Sequence, residues 1–325
     1  MSVTFEDVQS AAILLAGLAV ETPLLESPAL NERLGGRVLI KPETLQRVGA
    51  FKFRGAYNRL ARFSAIERLG GVVASSSGNH AQGVALVARL LGMPALIVMP
   101  RDAPAVKVEA TRGYGAEVRF YDRATDDREA IAAVVAVERG AVVVPAFDDP
   151  FVIAGQGTVG LEIVRQAEAK GVSIDLLLSP VGGGGLLAGV SLAIKALSPG
   201  TQLHGVEPAG FDDTRLSLEA GERRGAPPAA RSLCDALESP MPGVLTFPIL
   251  KKSLASVVAV SDAEVAEAMR VAYATLKLVV EPGGSVALAA LLAGRIDLAG
   301  RTAAIVLSGG NVDGALFARV LAGDL

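Results

Sequence analysis

Cysteine, histidine and aromatic residues are scarce in this chain, and each shortage closes off a class of function. A single cysteine, Cys234, cannot form an internal disulfide and points to a reducing compartment. Two histidines, His80 and His204, are too few for a histidine-rich metal cluster, and one cysteine rules out a CxxC zinc site. Tryptophan is absent and aromatics make up only 4% of the chain, so the core must be built from Ala, Val, Leu and Ile. There is no basic stripe and the net charge is -3, which disfavours nucleic acid as a partner. Glu6 and Asp7 stand where a secretory leader would carry positive charge, and the apolar run 11–20 is too short to span a bilayer. The expectation is a soluble, cytoplasmic protein, with room in 325 residues for one large α/β unit or two domains.

What is present is a strand–turn–helix rhythm. A capped helix begins at Thr4, a second covers 27–34, a strand covers 38–40, and a helix from Lys52 runs to about residue 70. Strands follow at 72–74, 95–99, 117–121 and 141–144, separated by helices at 80–91, from about 104, and at 125–139. Asp148-Asp149-Pro150 marks a boundary. Beyond it come a helix at 159–170, strands at 174–178 and 202–206, a loop-rich stretch at 221–242, a helix at 262–278, a turn at 281–284 and a strand at 302–307. Short apolar runs alternating with helices imply a parallel sheet covered on both faces.

Against that frame, Lys52 stands out between Phe51 and Phe53. Loss of hydration among rings lowers the pKa of a lysine, and a neutral amine can attack a carbonyl. The plainer alternative is a solvent-facing lysine opening an amphipathic helix. Three polar-glycine turns lie just past strands: 75–79, 182–185 and 308–311. Ligands of open parallel sheets bind beyond the carboxyl ends of strands, so these turns can converge. Gly182 to Gly185 offers bare amides at a helix start, which suits phosphate, or else forms only a tight turn. No Lys-Ser/Thr follows, so it is not a Walker A loop. Ser75-Ser76-Ser77-Gly78-Asn79-His80 suits a carboxylate, or else merely caps a helix. A Ser77–His80 hydrolase is the rival use, but no GxSxG elbow exists. A sequestered lysine, a phosphate cradle, a carboxylate cradle and Ser308 at a strand end together suggest pyridoxal phosphate.

Six motifs then carry a resemblance over nearly the whole chain: 49–55, 76–83, 154–157, 181–186, 206–208 and 307–311. The sequence resembles the fold-type II pyridoxal-phosphate enzymes, specifically the serine/threonine dehydratase and serine racemase family. That resemblance implies a tryptophan-synthase-β-like α/β fold of two open, twisted, mostly parallel sheets flanked by helices. Residues 1–65 and 151–325 would form a large cofactor domain, and 66–150 a small domain closing over substrate. It further implies that Lys52 carries the cofactor as a Schiff base and acts as base at Cα, with Phe51 beside the ring. Asn79 would bond the ring hydroxyl, Gly182, Gly183, Gly184 and Gly185 the phosphate, and Ser308 the ring nitrogen. Ser76, Ser77, Asn79 and His80 would hold the substrate carboxylate. Ser77 matches the racemase acid/base on the opposite face, and Arg128 and Ser239 match loosely placed substrate-end groups. Arg128 reads equally as an ordinary helix arginine. Glu207, Asp213 and the Phe211 carbonyl match a Mg²⁺ or Ca²⁺ site, or else an exposed acidic turn.

Two departures qualify the likeness. Ala50 replaces the family's usual serine, as in dehydratases associated with hydroxyectoine breakdown. The chain also leaves no room for a regulatory domain after residue 325. The activity implied is an ammonia-lyase acting on L-threonine or L-serine. The alternatives are 3-hydroxyaspartate, should Arg128 reach the site, a hydroxyectoine-derived amino acid, or serine racemisation. A catalytically silent amino-acid-binding protein is the reading from another class. A homodimer is the family expectation.

Overall fold

A computed structural model describes every residue except 1, 104, 228 and 229. Its strands form two sheets. The larger contains β1 (Leu25–Glu26), β2 (Arg37–Pro42), β7 (Leu176–Pro180), β8 (Gln202–Pro208), β9 (Ser256–Val260) and β10 (Thr302–Leu307), in the order β1-β2-β10-β7-β8-β9. The smaller contains β3 (Val72–Ser75), β4 (Ala95–Pro100), β5 (Glu117–Tyr121) and β6 (Val142–Val143), in the order β5-β4-β3-β6. Every pairing is parallel except that of β1 with β2. The fold expected from the family resemblance is therefore the one found.

Parallel strands covered on both faces need apolar side chains on both, and the central strands supply them. In β10, Ile305 pairs with Ile40 of β2 on one side and Leu178 of β7 on the other. All three are fully buried. Burying each such side chain stabilises the fold by about 1.5–3 kcal/mol. Helices on either side complete two apolar clusters flanking this sheet, and a third underlies the smaller one.

Several element boundaries differ from the sequence expectation, each for a local reason. The helix beginning at Lys52 stops at Leu60, and a second starts at Ala65, because Ser64 and Glu67 form a reciprocal capping box. The helix expected at 159–170 instead spans Pro150–Ala169: Asp149 caps it and Pro150 occupies its first position. Its glycines, which sequence reasoning counts against a helix, allow close packing. A Cβ on Gly157 would lie 2.7 Å from the Gly189 carbonyl, and one on Gly155 would lie 2.6 Å from that of Arg54. The turn expected at 281–284 is the buried first turn of the helix Pro282–Leu292. The helices Asp213–Ala220, Thr246–Ser253 and Gly314–Ala322, and the strand β9, lay outside the sequence reading. No described helix is long and apolar enough to cross a membrane.

Candidate active site

A cleft of about 190 Å³ opens between the carboxyl ends of the two sheets' strands, lined by segments far apart in sequence. Lys52, at the start of its helix, projects into it; its Nζ donates to the Ala146 carbonyl at 2.7 Å and lies 5.1 Å from the Phe51 ring centroid. Burial drives the ammonium down to about 8, against the opposing pull of Glu281. A substantial neutral fraction thus exists near physiological pH.

The glycine run after β7 lines the same cleft. Gly184 sits at φ +91°, and a Cβ on Gly183 would lie 2.4 Å from the Phe147 ring, so side chains are excluded on grounds of both strain and space. Among the described residues, the amides of Gly182 to Gly185 donate to no protein acceptor. Four unpaired donors at the start of the helix Gly185–Leu197 form a cradle that fits a phosphate.

Across the cleft, Asn79 heads the helix Asn79–Leu90 and is gripped from both sides. Its Nδ2 donates to Glu281 Oε1 at 2.6 Å, and its Oδ1 accepts from Asn311 Nδ2 at 2.8 Å. His80 is buried and bonded through Nε2 to the Val144 carbonyl at 3.0 Å. Burial first, then the charge of Lys52, lowers its pKa to about 3, so the ring is neutral. Ser76 and Ser77 complete this wall, and Ser308 closes the floor, its carbonyl accepting from the Phe51 amide at 3.1 Å.

Arg128 and Ser239 line the cleft as well. Arg128 is the first residue of its helix; its Nε pairs with Glu129 at 3.2 Å, and the side chain remains 44% exposed. The Ser239 hydroxyl donates to the Met241 carbonyl.

Glu207 and Asp213 lie outside the cleft lining. They are fully buried rather than an exposed acidic turn. Glu207 accepts from the Thr214 and Arg215 amides at 2.9 and 3.0 Å, while both Asp213 carboxylate oxygens are buried without a partner. Burial, then the neighbouring Asp213, pushes Glu207 up to about 8; burial pushes Asp213 up to about 7. Two carboxylates short of positive charge fit a hard divalent cation. Among the described residues no three His, Cys, Asp or Glu converge, so further ligands would come from carbonyls, such as that of Phe211, and water.

Glu281, placed by the sequence only in a turn, has a role at the site that sequence reasoning missed. Burial, then Asp235, pushes its carboxyl up to about 7, while the Asn79 hydrogen bond opposes the rise. The available signal was an acidic residue immediately ahead of Pro-Gly-Gly in an otherwise apolar stretch. Asn311, inside a motif already singled out, also went without a role.

A sequestered lysine facing an amide cradle, with polar walls from both sheets, defines an α/β enzyme built around a phosphorylated aldehyde. The sequence bears this out: residues 15–309 match the family model described as "Pyridoxal-phosphate dependent enzyme". The chain is 47% identical to an L-threo-3-hydroxyaspartate ammonia-lyase of Pseudomonas sp, over 98% of this chain and 99% of that protein. It is 42% identical to an L-threonine ammonia-lyase of Thermotoga maritima, over 98% of this chain and 78% of that protein. The solved structure of maize serine racemase superposes with a TM-score of 0.93 at 35% identity, covering 100% of this chain and 98% of that one. The chain belongs to the pyridoxal-phosphate-dependent enzyme family, in its serine/threonine dehydratase group, and its cofactor is pyridoxal 5'-phosphate.

Proposed function

We propose that this ammonia-lyase acts on 3-hydroxyaspartate: water is eliminated across Cα–Cβ, and the enamine formed then takes up water and releases ammonia to leave a 2-oxo acid. The observation carrying the choice is Arg128: this residue lines the cleft that holds Lys52, and of its guanidinium only Nε is engaged by a side chain. Glu129 Oε1 accepts from Arg128 Nε at 3.2 Å and from the Ser75 hydroxyl at 2.8 Å, so the cation flanks the serine-rich turn. A cation on this cleft suits a substrate carrying a second carboxylate. The two relatives named L-threo-3-hydroxyaspartate ammonia-lyase, at 47% and 42% identity, support the same substrate.

In this reading Lys52 holds the cofactor and takes the Cα proton on its Nζ. Pyridoxal phosphate supplies, when bound, the electron sink that makes that proton acidic. The amides of Gly182 to Gly185 bind its phosphate, Phe51 packs beside its ring, and Ser308 meets the ring nitrogen. Asn79 bonds the ring hydroxyl, with Glu281 and Asn311 fixing its amide. Ser76, Ser77, Asn79 and the neutral His80 orient the α-carboxylate so that the Cα–H bond points at Lys52. Ser239 contributes a hydroxyl at the far end of the substrate. Residues 66–150 close over the bound amino acid as a small domain, and the protein works as a homodimer. Glu207, Asp213 and the Phe211 carbonyl hold Mg²⁺ or Ca²⁺ away from the chemistry.

The test is 2-oxo acid release from threo- and erythro-3-hydroxyaspartate, L-threonine, L-serine and D-serine. Hydroxyaspartate should give the highest kcat/KM. Replacing Arg128 by Met should lower that value about 10–100-fold, the worth of a charge-assisted pair of about 1.5–3 kcal/mol. L-Threonine or L-serine is the second reading, favoured by the Glu129 contact and the exposure of Arg128. Equal or faster turnover of either would replace the first reading with the second.

A further inference from the structure

Lys107 lies on the helix Ala105–Gly113, among the elements around the smaller sheet, while Asp235 lies in the short 3-10 turn Asp235–Leu237 beside the larger one. Lys107 Nζ and Asp235 Oδ2 meet at 2.5 Å, and both side chains line the cleft. Among the described residues only this ion pair and Arg59–Asp149 link residues 66–150 to the rest of the chain, and of the two only Lys107–Asp235 lies on the cleft. Its halves are unequally solvated, with the lysine side chain 12% exposed and the aspartate 54%. A charge on a largely buried side chain gains most from an anion beside it, whereas a half-exposed carboxylate recovers hydration readily on release. The ammonium also has three donors, and Asp235 is its one protein acceptor among the described residues.

These facts make the pair an exchangeable site. Resting on the hydroxyaspartate reading above, we infer that Lys107 is a second specificity-determining residue alongside Arg128: the distal carboxylate of a dicarboxylic substrate, which Arg128 also meets, takes the place of Asp235 on the Lys107 ammonium. Asp235 then serves as a resident stand-in that keeps Lys107 paired when the cleft is empty or holds a substrate with a neutral side chain. The exchange is one carboxylate for another, so no new charge has to be dehydrated on the protein side. Both partners act on Glu281, Asp235 raising its pKa and Lys107 lowering it, which sets them near the carboxyl that holds Asn79.

The experiment uses holoenzyme and reads a ratio, kcat/KM for L-threo-3-hydroxyaspartate over that for L-serine. It is run at about 0.3 M salt, where fields from distant charges are screened. Lys107→Met should lower the ratio at least tenfold. The near-isosteric Asp235→Asn, which removes the competitor and leaves Lys107 in place, should raise it threefold or more. If both variants leave the ratio within twofold of wild type, or shift it in the same direction, the pair is only a strap between the two parts of the molecule and the inference fails. Should wild type fail to turn over hydroxyaspartate, the substrate reading falls by itself. The lysine is then judged by succinate inhibition of serine turnover: Ki should rise tenfold in Lys107→Met and fall in Asp235→Asn, and an unchanged Ki overturns it.

Discussion

Replacing Arg54 by Met tests whether the segment carrying Lys52 is anchored by buried charge. Two residues beyond Lys52, the Arg54 side chain is fully buried and donates to both oxygens of Glu43 at 2.8 and 2.9 Å. It also donates to both oxygens of Glu162 at 2.5 and 2.8 Å, to Thr158 and to the Val20 carbonyl. Lys41, also buried, bonds Glu162 at 2.6 Å. Burial alone would raise the Glu43 carboxyl, but Arg54 beside it holds the net value below the usual carboxylate range. A lowered pKa stabilises the fold above the unfolded value and is lost only as pH falls through the folded one, so wild type keeps this contribution at neutral pH.

Without Arg54, Glu43 retains the Thr22 hydroxyl at 2.7 Å but no adjacent guanidinium. Breaking a buried pair in this way costs about 3–5 kcal/mol. In the variant, burial raises the Glu43 pKa, so the deficit should be largest near pH 8 and narrow as pH falls toward 5. Urea unfolding of holoenzyme, followed by circular dichroism, measures it. Adding Glu43→Gln to Arg54→Met should recover part of the loss, because the uncompensated charge goes. A cost below about 1 kcal/mol, or strict additivity of the two substitutions, would refute the reasoning.

Other substitutions probe the cleft and the buried acids. Lys52→Ala should abolish turnover and borohydride-dependent attachment of the cofactor, checked by mass spectrometry of the reduced protein. In wild-type apoprotein the rate of covalent cofactor uptake should climb with pH and level off above about 8, where Lys52 is neutral. Gly183→Ala pushes a methyl into the Phe147 ring and should weaken pyridoxal phosphate binding at least tenfold in an equilibrium titration. Dialysis against a chelator should lower the melting temperature by several degrees, and Asp213→Asn should remove that response in calorimetry.

The sequence told most where chemistry and local geometry coincide. Lys52 between two phenylalanines, the glycine run after a strand and the serine-rich turn each carried a local reason, and each lies on the cleft. Burial was the harder quantity to read. For Glu207 and Asp213 the sequence left an exposed acidic turn open beside the cation site, yet β8 and the helix Asp213–Ala220 bury both. Glu281 acquires its importance from Asn79, two hundred and two residues earlier in the chain. Lys107 and Asp235, separated by 128 positions, are likewise joined only by the packing of the two sheets. The helix Pro150–Ala169 begins well before residue 159, and its glycines serve the close approach of neighbouring helices, which only the packing reveals.

The strand order also dictates how the polypeptide can assemble as it leaves the ribosome. The four strands of the smaller sheet come from one continuous stretch, so that part can fold once residue 143 has emerged. The larger sheet cannot: β10 sits between β2 and β7, and until residue 307 appears those two strands have no shared neighbour. For most of synthesis an apolar strand made before residue 43 waits with an open edge, the kind of surface that recruits foreign strands. Final closure of the cofactor cleft waits for the same strand, because Ser308 and Asn311 follow β10 directly.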